Sequence, residues 1–137
     1  MQYFLVKSEP FKYSWDQFQK DGSTFWDGVR NYQARNTLMS MKKGDMVLFY
    51  HSNEGLEIVG IAKVAKEYYP DPTIDDDRWC VVDLKVHKKL KVPITLSEIK
   101  KDSLLKEMAL VKQSRLSVMH VTEDQFHRVI SLSGTKI

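Results

Sequence analysis

Asp45-Met46-Val47-Leu48-Phe49-Tyr50-His51, entered from the turn Lys42-Lys43-Gly44, is a short aliphatic and aromatic run and reads as a β-strand. Three neighbours read the same way. Tyr3-Phe4-Leu5-Val6 ends before Ser8-Glu9-Pro10. Leu56 to Glu67 alternates small and β-branched residues and carries Gly60, a bulge or close-approach point. Trp79 to Val86 sets Cys80, Val82, Leu84 and Val86 on one face, with Trp79, Val81, Asp83 and Lys85 on the other. Strands at this spacing predict a curled mixed sheet or small barrel.

Helices are interleaved with these strands. Ser14-x-x-Gln17, Thr95-x-x-Glu98 and Thr122-x-x-Gln125 are capping boxes, in which the hydroxyl accepts from the third helical amide and the Gln or Glu reaches back to the cap amide. Each is joined by a hydrophobic staple: Tyr13 with Phe18, Ile94 with Ile99, Val121 with Phe126. A fourth helix, roughly Tyr32 to Lys42, carries Ala34, Leu38 and Met41 on one face and stops at Gly44. The fold class is therefore α+β, a curved sheet with short helices packed around it. No repeat or linker interrupts the 137 residues, so they form one domain, 1–137.

Composition excludes several classes. With 42% hydrophobic and 28% charged residues the chain is an ordinary globular domain, neither disordered nor collagen-like. The single cysteine, Cys80, excludes an internal disulfide and a Cys-rich zinc site. No apolar run approaches the roughly 18–20 residues that span a membrane, and the opening Met1-Gln2-Tyr3-Phe4-Leu5-Val6-Lys7 lacks the pattern of a signal peptide. The expected compartment is intracellular, cytoplasmic, or nuclear in a eukaryote. His51, His87, His120 and His127 show no metal-ligand spacing, and Asp75-Asp76-Asp77 lacks that of a calcium loop, so neither a metal nor another cofactor is expected. The net charge of +3 is mild and partly local: Lys85, Lys88, Lys89 and Lys91 surround His87. That cluster fits a solvated strand edge, where lysines deter aggregation, or a phosphate stripe.

Five segments hold candidate chemistry. In Lys7-Ser8-Glu9-Pro10, Ser8 ends a strand and can point into a cleft as donor and acceptor, or satisfy amides of a strand-to-helix corner. Phe25-Trp26-Asp27-Gly28-Val29-Arg30-Asn31 runs into the fourth helix through Tyr32-Gln33-Ala34-Arg35-Asn36. There Trp26 can supply a stacking face, Asn31 paired donor and acceptor atoms for a base edge, and Arg30 and Arg35 forks for phosphate. The alternative is a core Trp26 with arginines in surface ion pairs. Phe49-Tyr50-His51-Ser52 places His beside Ser, yet no Gly-x-Ser-x-Gly elbow or orienting acid accompanies them, which leaves a structural histidine or a pocket residue. Tyr68-Tyr69-Pro70-Asp71-Pro72 reads as a stiff loop whose aromatics form a pocket wall. Lys112-Gln113-Ser114-Arg115-Leu116-Ser117-Val118 reads as a loop and short strand with Arg115 and Ser117 on one face.

In their order along the chain, Lys7-Ser8-Glu9-Pro10, Trp26-Asp27-Gly28-Val29-Arg30-Asn31, Ala34-Arg35-Asn36, Gly44-Asp45, Phe49-Tyr50-His51-Ser52, Tyr69-Pro70-Asp71-Pro72 and Ser114-Arg115-Leu116-Ser117-Val118 resemble the EVE-domain family over nearly the whole length. One departure is Met119-His120, where a proline often follows the Ser-Val segment. The resemblance implies a PUA-like curved mixed sheet or barrel with flanking helices, related to the YTH readers of methylated adenine. It implies recognition of a modified nucleobase, notably a 5-modified cytosine, in DNA or RNA, or of a small nucleotide-like ligand. The expected pocket uses Trp26 with Tyr50 or Tyr69 as walls, and Ser8, Val29, Asn31, His51 and Ser52 around the base. Lys7, Arg30, Arg35 and Arg115 are expected to hold phosphate or order loops, and Trp79 is a reserve aromatic. The reading is of a binding module without a complete catalytic constellation. The alternatives are a small hydrolase or nucleobase-processing enzyme using His51-Ser52 with Lys7-Ser8-Glu9, and a protein-interaction domain.

Overall fold

A computed structural model describes residues Met1–Ile137. Six strands form one sheet: β1 (Tyr3–Ser8), β2 (Ser23–Phe25), β3 (Met46–His51), β4 (Glu57–Pro70), β5 (Cys80–Thr95) and β6 (Val118–Val121), in the order β2-β5-β4-β3-β1-β6. β1 and β3 are parallel and every other pair is antiparallel, so the sheet is mixed. β2 and β6 are its two edges; the sheet is open rather than a closed barrel. Register shifts fall at Phe49/Tyr50 and at four places along β4–β5, and such bulges bend strands and strengthen twist.

The strands found from the sequence are all present, with different limits. β4 continues through Tyr68-Tyr69-Pro70, so the two tyrosines stand on a strand rather than a loop. β5 continues past Val86 to Thr95, which puts Lys88, Lys89 and Lys91 inside a strand. β2 was not foreseen: three residues paired to one neighbour leave no periodic signal. Arg115 lies in a turn, and β6 begins only at Val118, so no strand alternation relates Arg115 to Ser117.

Helices α1 (Trp15–Asp21), α2 (Tyr32–Ser40), α3 (Leu96–Lys101), α4 (Ala109–Lys112) and α5 (Glu123–Ser133) flank the sheet, with one 3-10 turn at Leu105–Glu107. Thr95 and Thr122 form full reciprocal capping boxes. Ser14 caps α1 from one side only: its Oγ accepts from the Gln17 amide at 3.0 Å, while the Gln17 side chain donates to Asp21 Oδ1 at 2.9 Å. α2 ends at Ser40, short of Gly44.

The core above the first helix is aromatic. Phe18 stacks on Phe49 with ring centroids 5.4 Å apart, and Trp15 meets Phe49 edge-on at 5.3 Å. Tyr13 and Phe18, the staple pair, lie 6.2 Å apart. Gly60 is the close-approach point: a Cβ built there would lie 2.4 Å from the Trp15 ring. The indole of Trp15 thus occupies the space a side chain on β4 would fill. Its Nε1 is buried without a hydrogen-bond partner, so the ring is held by packing and geometry alone. Gly60→Ala must push the Trp15 ring off the sheet; overpacking of this kind costs about 1–3 kcal/mol. Chemical denaturation will show that loss, whereas wild-type stability of the variant would mean the ring relaxes freely.

Candidate functional site

A cleft of about 560 Å³ opens where β1 ends, within the size range of small-molecule sites. Lys7 and Ser8 form one side of it, Tyr13 and Lys12 of the following loop a second, and Thr24 to Gly28 the third. Each wall has a local cause. Pro10 ends the strand, the Glu9 carbonyl accepts from the Lys12 and Tyr13 amides at 3.0 and 2.9 Å, and the chain turns back over the strand end. Ser8 Oγ donates to the Tyr13 carbonyl at 2.5 Å and pins that turn. The Trp26 amide donates to the Val82 carbonyl at 2.8 Å, carrying the β2–β5 pairing one residue further. Gly28, at φ +78°, then turns the chain in the left-handed region that favours glycine.

Trp26 lines the cleft but is only 8% exposed. Its ring meets Tyr13 at 6.3 Å and Phe49 at 5.6 Å, both edge-on. The freer aromatic surface is Phe25, 41% exposed. Two ammonium groups, Lys7 and Lys12, face two carboxylates, Glu9 and Asp27, and Lys12 pairs with Glu9 at 3.2 Å. Burial pushes the Lys7 ammonium down from its ordinary value, and its Nζ donates to the Ser114 carbonyl at 2.8 Å. Burial, then the hydrogen bond to Asp21, push the Tyr13 phenol up to about 12, so it stays neutral and donates to Asp21 Oδ2 at 2.8 Å.

Among the residues expected from the sequence, Lys7, Ser8 and Trp26 come together here. The others are placed elsewhere. Val29 and Tyr50 are buried in the core. His51 Nε2 accepts from the Trp15 amide at 3.0 Å, so the imidazole anchors the start of α1. The Ser52 amide donates to the Ser8 carbonyl at 2.9 Å, steadying the end of β1 from behind. Asn31 Oδ1 accepts from the Ala34 amide at 2.9 Å and is the N-cap of α2. The Tyr69 hydroxyl donates to Asp83 Oδ1 at 2.5 Å. Arg115 lines a separate shallow groove with Asn31, Gln33 and Lys112. Arg35 donates to the Asn36 side chain at 2.7 and 3.1 Å and lies 4.8 Å over the Tyr32 ring. Trp79 stacks on Tyr32 at 5.1 Å.

Arg30 orders the loop that carries Trp26. Its Nη1 donates to the Val29 carbonyl at 2.9 Å and to Asp71 Oδ2 at 3.0 Å. The Asp71 carboxylate is fully buried and also accepts from the Thr73 amide and hydroxyl. Burial alone would raise its pKa; the Thr73 donors and the Arg30 guanidinium outweigh that and hold it below the ordinary carboxylate value. Asp71 was missed because its role depends on a partner at Arg30, 41 residues away. Tyr13, read as a staple, doubles as a cleft wall. Thr24 went unmarked because β2 did, while Phe25, Asp27 and Gly28 sat inside a segment already singled out.

The model of the family described as the EVE domain matches residues 2–132. Thymocyte nuclear protein 1 of Gallus gallus is 39% identical over 168 aligned positions, covering 98% of this chain and 69% of the relative. The crystal structure of protein Atu2648 from Agrobacterium tumefaciens shares 43% identity at a TM-score of 0.97, covering 98% of this chain and 94% of that one. Human THYN1, solved in complex with 5-methylcytosine-containing DNA, shares 34% identity at a TM-score of 0.91, with both chains covered in full. The fold also matches a YTH domain from Zygosaccharomyces rouxii at a TM-score of 0.63 and 13% identity.

Two outcomes follow from the anchors. Arg30→Ala leaves the buried Asp71 carboxylate without its cation and should lower stability by about 1.5–3 kcal/mol, read by denaturant melts. Burial holds the His51 pKa below its ordinary value, against the pull of Glu57 and Asp16. The unfolded chain then binds a proton first as pH falls below about 6.5, so stability is complete above that pH and declines below it until the folded-state pKa is reached. Melting temperatures across pH 5 to 7.5 should show this slope in the wild type and lose part of it in His51→Gln.

Proposed function

The chain belongs to the EVE-domain family, and from that membership we propose that it is a non-catalytic nucleic-acid-binding module that seats one modified nucleobase, such as a 5-modified cytosine, in the cleft at the end of β1. The observation that carries the reading is a cleft of about 560 Å³ that combines aromatic with polar side chains, in a chain whose human relative was solved with 5-methylcytosine-containing DNA.

The energetics fit a reader. Taking a base from its stack costs a few kcal/mol. Stacking on an aromatic returns about 1–3 kcal/mol. Because Trp26 is only 8% exposed, the aromatic surface of the cleft is shared with Phe25 and Tyr13. Donors and acceptors on Lys7, Glu9, Thr24 and Asp27 are available for a base edge, and a paired contact of that kind is worth about 1–3 kcal/mol of discrimination. Hydrolysis is disfavoured by two hydrogen bonds. The His51 acceptor nitrogen is occupied by the Trp15 amide, and Ser8 Oγ donates to a carbonyl rather than to a base.

Titration of 5-methylcytosine and unmodified cytosine oligonucleotides at fixed salt tests the proposal. Modified DNA should bind more tightly. Phe25→Ala, at an exposed position, should weaken binding by about 1–3 kcal/mol with the fold intact, and Trp26→Ala should abolish the preference. Equal affinity for both oligonucleotides, unchanged by Trp26→Ala, would remove the proposal, and turnover of a modified nucleoside that depends on His51 or Lys7 would replace it with an enzyme.

A further inference from the structure

The cleft accounts for almost none of the chain's positive charge, since its two lysines are matched by two carboxylates. The excess lies on β4 and β5. Lys63 and Lys85 sit directly opposite each other across that pair, and Lys66 faces Asp83 a few residues along. Neither Lys63 nor Lys85 has an ion-pair or side-chain hydrogen-bond partner. The one carboxylate in their row, Asp83, is occupied by the Tyr69 hydroxyl, with the Lys66 ammonium 4.4 Å over the Tyr69 ring. Lys88 is exposed nearby, donating to the Lys136 carbonyl. Burial and then Lys63, Lys88 and Lys85 push the His87 imidazole down, so His87 is surrounded by cations.

Like charges directly opposite on paired strands repel and destabilise a sheet. Edge protection does not explain this pair. Lys63 is flanked by Met46 of β3, and Lys85 by Ser23 of β2, so both stand in fully paired positions. An anionic partner would convert the repulsion into attraction. The row also reaches the cleft: Ser23, beside Lys85, is two residues from Phe25, which lines it and pairs with Asp83.

Resting on the base-binding reading above, we propose that this face of β4–β5, centred on Lys63 and Lys85 with Lys66 and Lys88 beside them, is where the phosphate backbone of a DNA duplex lies while one of its bases occupies the cleft. The cleft then supplies selectivity and the lysine face most of the sequence-independent affinity, as is usual for phosphate contacts.

The test is fluorescence anisotropy with methylated and unmodified duplexes of one sequence between 50 and 200 mM salt. Lys63→Gln/Lys85→Gln should weaken both duplexes alike, roughly tenfold at the low-salt end, and flatten the plot of log affinity against log salt by about 2, since each phosphate contact contributes about 0.9. The preference for the methylated duplex should be unchanged. Lys85→Glu should raise the melting temperature by relieving the repulsion with Lys63 and yet weaken DNA binding, a pairing that a merely structural role does not produce. Wild-type affinity and slope in the double variant would overturn the proposal, as would a loss confined to RNA of the same sequence. If the wild type shows no preference for methylation but the slope still flattens, the base-reading role fails and the surface stands. If a Trp26-dependent preference persists with an unchanged slope, the surface fails and the reading role stands.

Discussion

β1 and β3 run side by side in the same direction, Lys7 opposite Tyr50 and Ser8 opposite His51. Parallel neighbours cannot be joined by a hairpin; the chain must leave one end of the sheet and return to the other. Residues 9–45 make that crossing, and they carry α1, β2, the Trp26 loop and α2. Every side chain that lines the main cleft lies either at the end of β1 or on the first part of this crossing, between Lys7 and Gly28. The cleft is a by-product of the parallel register: the crossing leaves the sheet over the strand ends and cannot close the gap it spans.

The rest of the molecule fixes that crossing at two points. Trp15 lies in the place a side chain at Gly60 would need, and His51 accepts from the Trp15 amide. Arg30 ties the loop after Trp26 to buried Asp71, at the far end of β4. A third anchor lies outside the crossing, where Lys7 at the end of β1 holds the turn before β6 through the Ser114 carbonyl. Each anchor joins segments distant in sequence, which is why the loop walls are ordered without regular structure of their own.

Local signals were legible in advance and distant partners were not. Hydroxyl caps with staples located α1, α3 and α5, because both devices are complete within about six residues of sequence. The strands showed as apolar runs, though their ends did not; β4 and β5 outlast their apolar pattern because each is paired to the other for most of its length. Asn31 and His51 illustrate the site's difficulty. Both carry the donors and acceptors of a base-reading group, and the structure directs one atom of each to an amide. A side chain's chemistry is visible in sequence, but whether a backbone amide already occupies it depends on the fold. Charge behaved likewise: the Lys85–Lys91 cluster was visible, whereas the opposition of Lys63 to Lys85 required the register of β4 on β5.

The Lys7–Ser114 hydrogen bond spans 107 residues, and β1 is held on its outer side by Val118–Val121 and by the Ser117 carbonyl, which accepts from the Lys7 amide at 3.0 Å. The residues that surround the cleft, Lys7 to Gly28, therefore depend for an anchor on a segment far later in the chain. A chain lacking β6 has every wall of the cleft but leaves the outer edge of β1 unpaired. Unseating β6 would in this way loosen the cleft without touching any residue that lines it.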